Sequence, residues 1–104
     1  MTQFIQVLTT TDKKPIAEKI RNALIKKRLA GCVQVTTIDS AYRWKGKIVH
    51  AKEYLLLIKT RKSLYKQLEK AIMTVHNYSV PEIIATPIIS GNQKYLNWLK
   101  SETK

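Results

Sequence analysis

Residues 32–58 read Cys32-Val33-Gln34-Val35-Thr36-Thr37-Ile38-Asp39-Ser40-Ala41-Tyr42-Arg43-Trp44-Lys45-Gly46-Lys47-Ile48-Val49-His50-Ala51-Lys52-Glu53-Tyr54-Leu55-Leu56-Leu57-Ile58. The first half is rich in β-branched residues, the second ends in an apolar run, and Lys45-Gly46 punctuates them as a tight turn, with Gly46 supplying a positive φ. The apolar run at 54–58 places the returning strand at the centre of a sheet, covered on at least one face. Each arm runs roughly 13 residues and, at about 3.3 Å per residue, approaches 40 Å. A helix of about 16 residues covers only some 24 Å. The distal end of the hairpin, with Tyr42, Trp44, Ile48 and Val49, is therefore expected to lie beyond any helix and to pack on another protomer.

Working outward, residues 4–10 (Phe-Ile-Gln-Val-Leu-Thr-Thr) form a first β-rich run. Asp12 is placed to cap a helix, with Pro15 tolerated in its first turn. Ile16, Ile20, Ala23 and Leu24 then recur on one face, and Gly31 is expected to stop the helix. After the hairpin, Thr60 is the expected cap of a second helix carrying Leu64, Leu68, Ala71, Ile72 and Val75. Residues 76–81 read as a loop and 82–89 as a fourth strand, whose Pro87 suits a sheet edge. Tyr95, Trp98 and Leu99 mark a short terminal helix. The order β-α-β-β-α-β plus a helix predicts an α+β, ferredoxin-like sandwich spanning residues 1–104 as one domain, with strands 1 and 3 central.

Five segments now stand in order: Leu29-Ala30-Gly31-Cys32-Val33, Tyr42-Arg43-Trp44-Lys45-Gly46-Lys47-Ile48, Leu56-Leu57-Ile58-Lys59-Thr60, His76-Asn77-Tyr78-Ser79-Val80-Pro81-Glu82-Ile83 and Tyr95-Leu96-Asn97-Trp98-Leu99. Together they resemble the divalent-cation tolerance protein family, CutA, across nearly the whole chain. The resemblance implies a PII-like protomer, a tight homotrimer, a link to copper and other divalent cations, and no enzymatic activity. The sequence also departs from the family. Trp44-Lys45-Gly46 stands where Trp-Glu-Gly is common, and His76-Asn77-Tyr78 where His-Pro-Tyr is usual. Some bacterial members resemble copper binders using a strand-1 Cys and two adjacent His. Those positions are Thr9, Val75 and His76 here, so only His76 keeps a good copper ligand.

Composition narrows the classes. The 104 residues are 44% hydrophobic, an ordinary globular mixture for one domain. The longest apolar runs fall far short of the roughly 20 residues that span a bilayer. Met1-Thr2-Gln3-Phe4 has no basic or apolar targeting region, and a lone cysteine suits a reducing compartment, so the expected address is the cytoplasm. Nineteen Lys and Arg against seven Asp and Glu give +12. That charge raises nucleic acid, an anionic membrane or a small acidic molecule as partners, yet seven cations at 12–30 and five at 59–70 fall on helical periods and read first as solvated faces. The strand at 54–58 lacks the aromatic pattern of an RNA-binding sheet, so no specific nucleic acid is expected.

His76 follows a helix end, where it can cap the helix or bind a metal. Cys32 opens strand 2, as a small buried residue or a ligand. The topology puts it a sheet-length from His76, so the two could share a metal only between protomers. Cys32 and Glu82 are the candidates for an inter-protomer cleft; Tyr42, Trp44, Ile48 and Trp98 are the candidates for trimer packing. His50 has no second ligand near it and reads as surface. No catalytic set of residues stands out. The reading is a trimeric, non-enzymatic copper or divalent-cation tolerance protein; the alternative is a PII-like sensor of a small anion held in inter-protomer clefts.

Overall fold

The computed structural model describes residues 3–104; Met1 and Thr2, part of the segment read for a targeting signal, lie outside them. The Lys45-Gly46 turn takes φ +50° and +77°, the left-handed pair that a two-residue hairpin needs to match the twist of its arms. The arms are β2 (Cys32–Trp44) and β3 (Lys47–Arg61), paired without interruption from Cys32↔Lys59 to Trp44↔Lys47. β1 (Phe4–Thr11) lies antiparallel beside β3, and β4 (Ile83–Pro87) beside β1. The sheet order β2-β3-β1-β4 places strands 1 and 3 in the centre, as the ferredoxin-like reading requires. Pro87 closes an edge strand, where its missing N–H breaks no ladder.

The sheet has one covered face. Ile5 and Val7 of β1 and Leu56 and Ile58 of β3 alternate onto it. There they meet Ala17, Ile20 and Leu24 of α1 (Lys14–Lys26) and Leu68, Ala71 and Ile72 of α2 (Tyr65–Val75). A single 3₁₀ turn, Lys62–Leu64, leads into α2. On the opposite face, Leu8, Leu55 and Leu57 are only half-buried, and Ile84 is 49% exposed. The short α3 (Gln93–Glu102) starts at Asn92, whose side chain accepts from the Tyr95 N–H at 3.1 Å. Its Leu99 is fully buried.

Three expectations about helix ends give way to tertiary partners. Asp12 does not cap α1: Lys13 holds that place with no side-chain cap, while the Asp12 carboxylate accepts from the Asn77 amide at 2.8 Å. Thr60 does not cap α2: its buried hydroxyl donates to the Leu29 carbonyl at 2.6 Å, tying β3 to the exit of α1. Gly31 does not end α1; the helix stops at Lys26, and Arg28, at φ +58°, makes the left-handed turn. The Arg28 guanidinium then donates to the carbonyls of Ser101, at 2.7 Å, and Glu102, at 3.2 Å, so one residue closes α1 and the end of α3. The fourth strand is also shorter than the 82–89 run, because ladder pairing with β1 ends at Pro87.

Gly31 has a different task. A Cβ there would lie 2.5 Å from Leu99 Cδ1 and 3.7 Å from its Cα, so α3 docks on the bare glycine. At Gly46 a Cβ meets nothing within 4 Å, and only the positive φ opposes a side chain. Gly31→Ala is expected to lower stability by about 1–3 kcal/mol through overpacking, and Gly46→Ala by about 1–2 kcal/mol through backbone strain alone. In denaturant titrations, adding Leu99→Ala should partly rescue the first substitution and leave the second unaffected. A Gly31→Ala midpoint equal to the parent's would refute the close docking of α3.

Candidate functional site

The segment between α2 and β4 is fastened residue by residue to the end of β1. His76 closes α2, its N–H bonding to the Ile72 carbonyl at 2.9 Å. Its Nε2 lies 2.8 Å from the Thr10 carbonyl, an acceptor only, so Nε2 carries the proton. Nδ1 is then free to accept from the Tyr78 N–H at 3.0 Å. Next in the chain, the side-chain Oδ1 of Asn77 accepts from the Thr11 hydroxyl at 2.6 Å. These bonds hold the loop and aim Tyr78 back across the open face of the sheet. Its phenol donates to Glu53 Oε2 at 2.7 Å. Burial, followed by that bond to Glu53, pushes the Tyr78 phenol far above the ordinary tyrosine range.

Between this loop and the hairpin lies a cleft of about 540 Å³, a size suited to a small molecule. Glu53, only 5% exposed, forms its floor; Tyr42, Trp44 and Tyr78 form walls, and Glu82 stands at the rim. Tyr42 and Trp44 remain 40% and 43% exposed and Ile48 62%, consistent with an arm that outreaches the helices. The long dimension of the chain is 44 Å against 25 and 22 Å across.

The sequence candidates are only partly brought together. Glu82 joins the cleft, but Cys32 does not. Cys32 pairs with Lys59, six residues along β3 from Glu53, which is roughly 20 Å of strand. Cys32 is also partly exposed, not the buried residue expected, because it sits at the lower end of the open face beside Tyr95. Burial first, and then that neighbouring sulfur, raises the Tyr95 phenol. Trp98 is 43% exposed on α3, its ring 5.6 Å from that of Tyr95. His50 is exposed on the hairpin.

His76 is poorly placed as a metal ligand, because both ring nitrogens already serve the loop. Thr9 is fully buried, its hydroxyl without a partner among the described residues, and Val75 offers no donor. Among the described residues no three His, Cys, Asp or Glu side chains gather. The protomer's residues therefore do not fit a preformed copper centre. Sequence reasoning overlooked Glu53, Asn77 and Tyr78. The available signal was Glu53 itself, one of only seven acids, standing at the head of the apolar run of a central strand.

A family model described as CutA1 divalent ion tolerance protein matches residues 5–102. The divalent-cation tolerance protein CutA of Thermus thermophilus is 42% identical over 98 residues, covering 93% of this chain and 95% of that one. The chloroplastic protein CutA of Arabidopsis thaliana is 42% identical over 96% of this chain, but over only 56% of its own length. Among solved structures, CutA1 from Oryza sativa superposes with a TM-score of 0.95 at 41% identity, covering 99% of this chain and 95% of that one. The Thermus thermophilus structure gives 0.93 at 40% identity, covering 97% and 99%.

Burial of the Tyr78 phenol, together with its bond to Glu53, makes stability fall at high pH. A raised folded-state value means that the stabilisation is complete below the unfolded tyrosine pKa of about 10 and is lost as pH rises above it. Tyr78→Phe should flatten that decline in thermal melts. Ultraviolet titration of the folded parent should show one phenol more that resists ionisation than in the variant. Equal curves would remove the bond from the account.

Proposed function

The chain belongs to the CutA1 divalent ion tolerance protein family, and from that premise we propose a non-enzymatic metal-tolerance or metal-response protein that works as a homotrimer. The match over residues 5–102 carries the reading. Copper or another divalent cation is its proposed ligand. With His76 engaged by the loop, the cation is proposed to be held by groups that assembly brings together, Cys32 of one protomer and Glu82 of another being the available thiol and carboxylate. A net charge of +12 per chain makes such local ligands necessary, since the general field repels cations. The lone cysteine supports a reducing, cytoplasmic address.

Assembly is supported by the uncovered apolar surface. The half-buried leucines of the open face, Ile84, and the distal Tyr42 and Trp44 lie on one side of the sheet and its extension; Ile48 is exposed on the other side of the hairpin arm, and Trp98 adds an exposed ring on α3. Monomers rarely leave that much contiguous apolar area in water. An alternative role as a PII-like sensor of a small anion gains support from a second cleft, of about 420 Å³, where Lys14 and Arg21 of α1 face the edge strand β2 beside a single acid, Glu18. Thermal shift with nucleotides and carboxylates separates the roles: stabilisation by an anion favours the sensor.

Light scattering is expected to give three times the 12.0 kDa chain mass. Ile48→Asp should shift that mass towards the monomer, because it places an unpaired charge in a packed interface. In copper and zinc titrations the parent should bind with a defined stoichiometry per trimer, the dissociated Ile48→Asp variant should not, and His76→Ala should leave the isotherm unchanged. Metal binding by the dissociated variant, or its loss in His76→Ala, would overturn the shared-site reading.

A further inference from the structure

We propose that the cleft between the 76–82 loop and the hairpin is a binding site for an organic cation, a primary ammonium or guanidinium head group. Four independent features of one cavity point to that chemistry. Glu53 is 95% buried by its exposure of 5%, yet among the described residues it has no cationic partner, the ion pair between Lys52 and Asp39 being elsewhere and fully exposed. Burying a carboxylate without a counter-charge is costly, and its neutralisation by a bound cation is the ordinary remedy. One oxygen, Oε2, takes the Tyr78 hydroxyl; the other takes no hydrogen bond from a described residue and is left for the cleft.

Tyr78 strengthens the choice of sign. Its phenol, held far above its ordinary range, stays a neutral donor and fixes Glu53 as the acceptor. The lining is aromatic: Tyr78 sits on the carboxylate itself, and Tyr42 and Trp44 line the same cleft further along the hairpin, so an organic cation anchored at Glu53 can extend over aromatic surface once water is displaced. Trp44 already takes one such contact within the chain, with Lys45 Nζ 5.9 Å from its ring centroid. The rim carries a second carboxylate, Glu82, against one cation, Arg43. In a chain of net +12, two of seven acids thus meet in one aromatic cleft. Carboxylates outnumber cations two to one in that lining, which favours a cation, and the aromatic lining favours an organic one over a hydrated inorganic one.

The head group has two sources: a free small amine, or a Lys or Arg side chain from a neighbouring copy of this chain, since Tyr42 and Trp44 also stand among the surfaces proposed to assemble. The test uses the intact protein with Trp98→Phe, which leaves Trp44 as the sole indole. Fluorescence is followed as n-butylammonium is added, with n-butanol and potassium ion as controls. A free-amine site gives a saturable change with n-butylammonium only, weakened about tenfold or more by Glu53→Gln, the scale expected when a charge-assisted bond is lost. A site filled by a neighbour gives no response to the amine. Instead, Glu53→Gln raises the protein concentration at which light scattering shows half-dissociation by about tenfold or more. Equal responses to n-butanol and n-butylammonium, an amine response untouched by Glu53→Gln, or no response together with unchanged assembly would each overturn the proposal. Should Glu53→Gln fail to fold by circular dichroism, Glu82→Gln carries the test, weakening of either readout supporting the site and unchanged readouts overturning it.

Discussion

A strand rises about 3.3 Å per residue and a helix about 1.5 Å, and this mismatch governs the molecule. β2 and β3 spend 13 and 15 residues on strand, while α1 and α2 spend 13 and 11 on helix. The helices can roof only the proximal part of the sheet. Everything beyond, including Trp44 and Ile48 near the turn, projects as a two-stranded ribbon without a core of its own. A lone ribbon is at best marginal in water. Here it stands because its inner end is continuous with strands whose other residues, Leu56 and Ile58 among them, are fully buried.

The same geometry leaves the sheet with a second, unroofed face. Alternation along β3 sends Leu56 and Ile58 towards the helices and Leu55 and Leu57 the other way, where they are half-buried. α3 reaches only the lower end of that face. It is anchored there by Leu99 against Gly31 and by Arg28 and Arg61 on the terminal carbonyls and on Thr103. The upper end is bounded by the 76–82 loop instead. The cleft therefore lies where roofing by α3 stops and the hairpin arm begins, the place where the fold has surface left to give to a ligand or a neighbour.

The candidate metal ligand illustrates how a side chain is committed by its surroundings. A histidine after a helix can bind a cation only with a nitrogen lone pair to spare. His76 gives its Nε2–H to Thr10 and its Nδ1 lone pair to Tyr78, so its role is to shape the loop that carries Tyr78 to Glu53. Thr9 and Val75 complete the point: the hydroxyl is buried under the helices and the isopropyl has no donor. The family's link to divalent cations is thus separate from any preformed centre within this protomer.

Period and punctuation made the backbone legible from the amino acids alone. The β-rich run at 32–38, the apolar run at 54–58, the Lys45-Gly46 turn, the i, i+4, i+7 stripes of both core helices and Pro87 at an edge all act between residues close in sequence, so they specified element order, sheet order and the overlong hairpin. The helix caps misled for the opposite reason. Asp12, Thr60 and Gly31 have the right local chemistry, but Asn77, Leu29 and Leu99, distant in the chain, engage them first, and a tertiary partner supersedes a local cap. The cleft was invisible for the same cause. Glu53 lies 25 residues from Tyr78, and nothing in either segment announces the other. Local periodicity decided the architecture; only folding, by bringing distant polar groups into one desolvated space, decided which side chains were left to act.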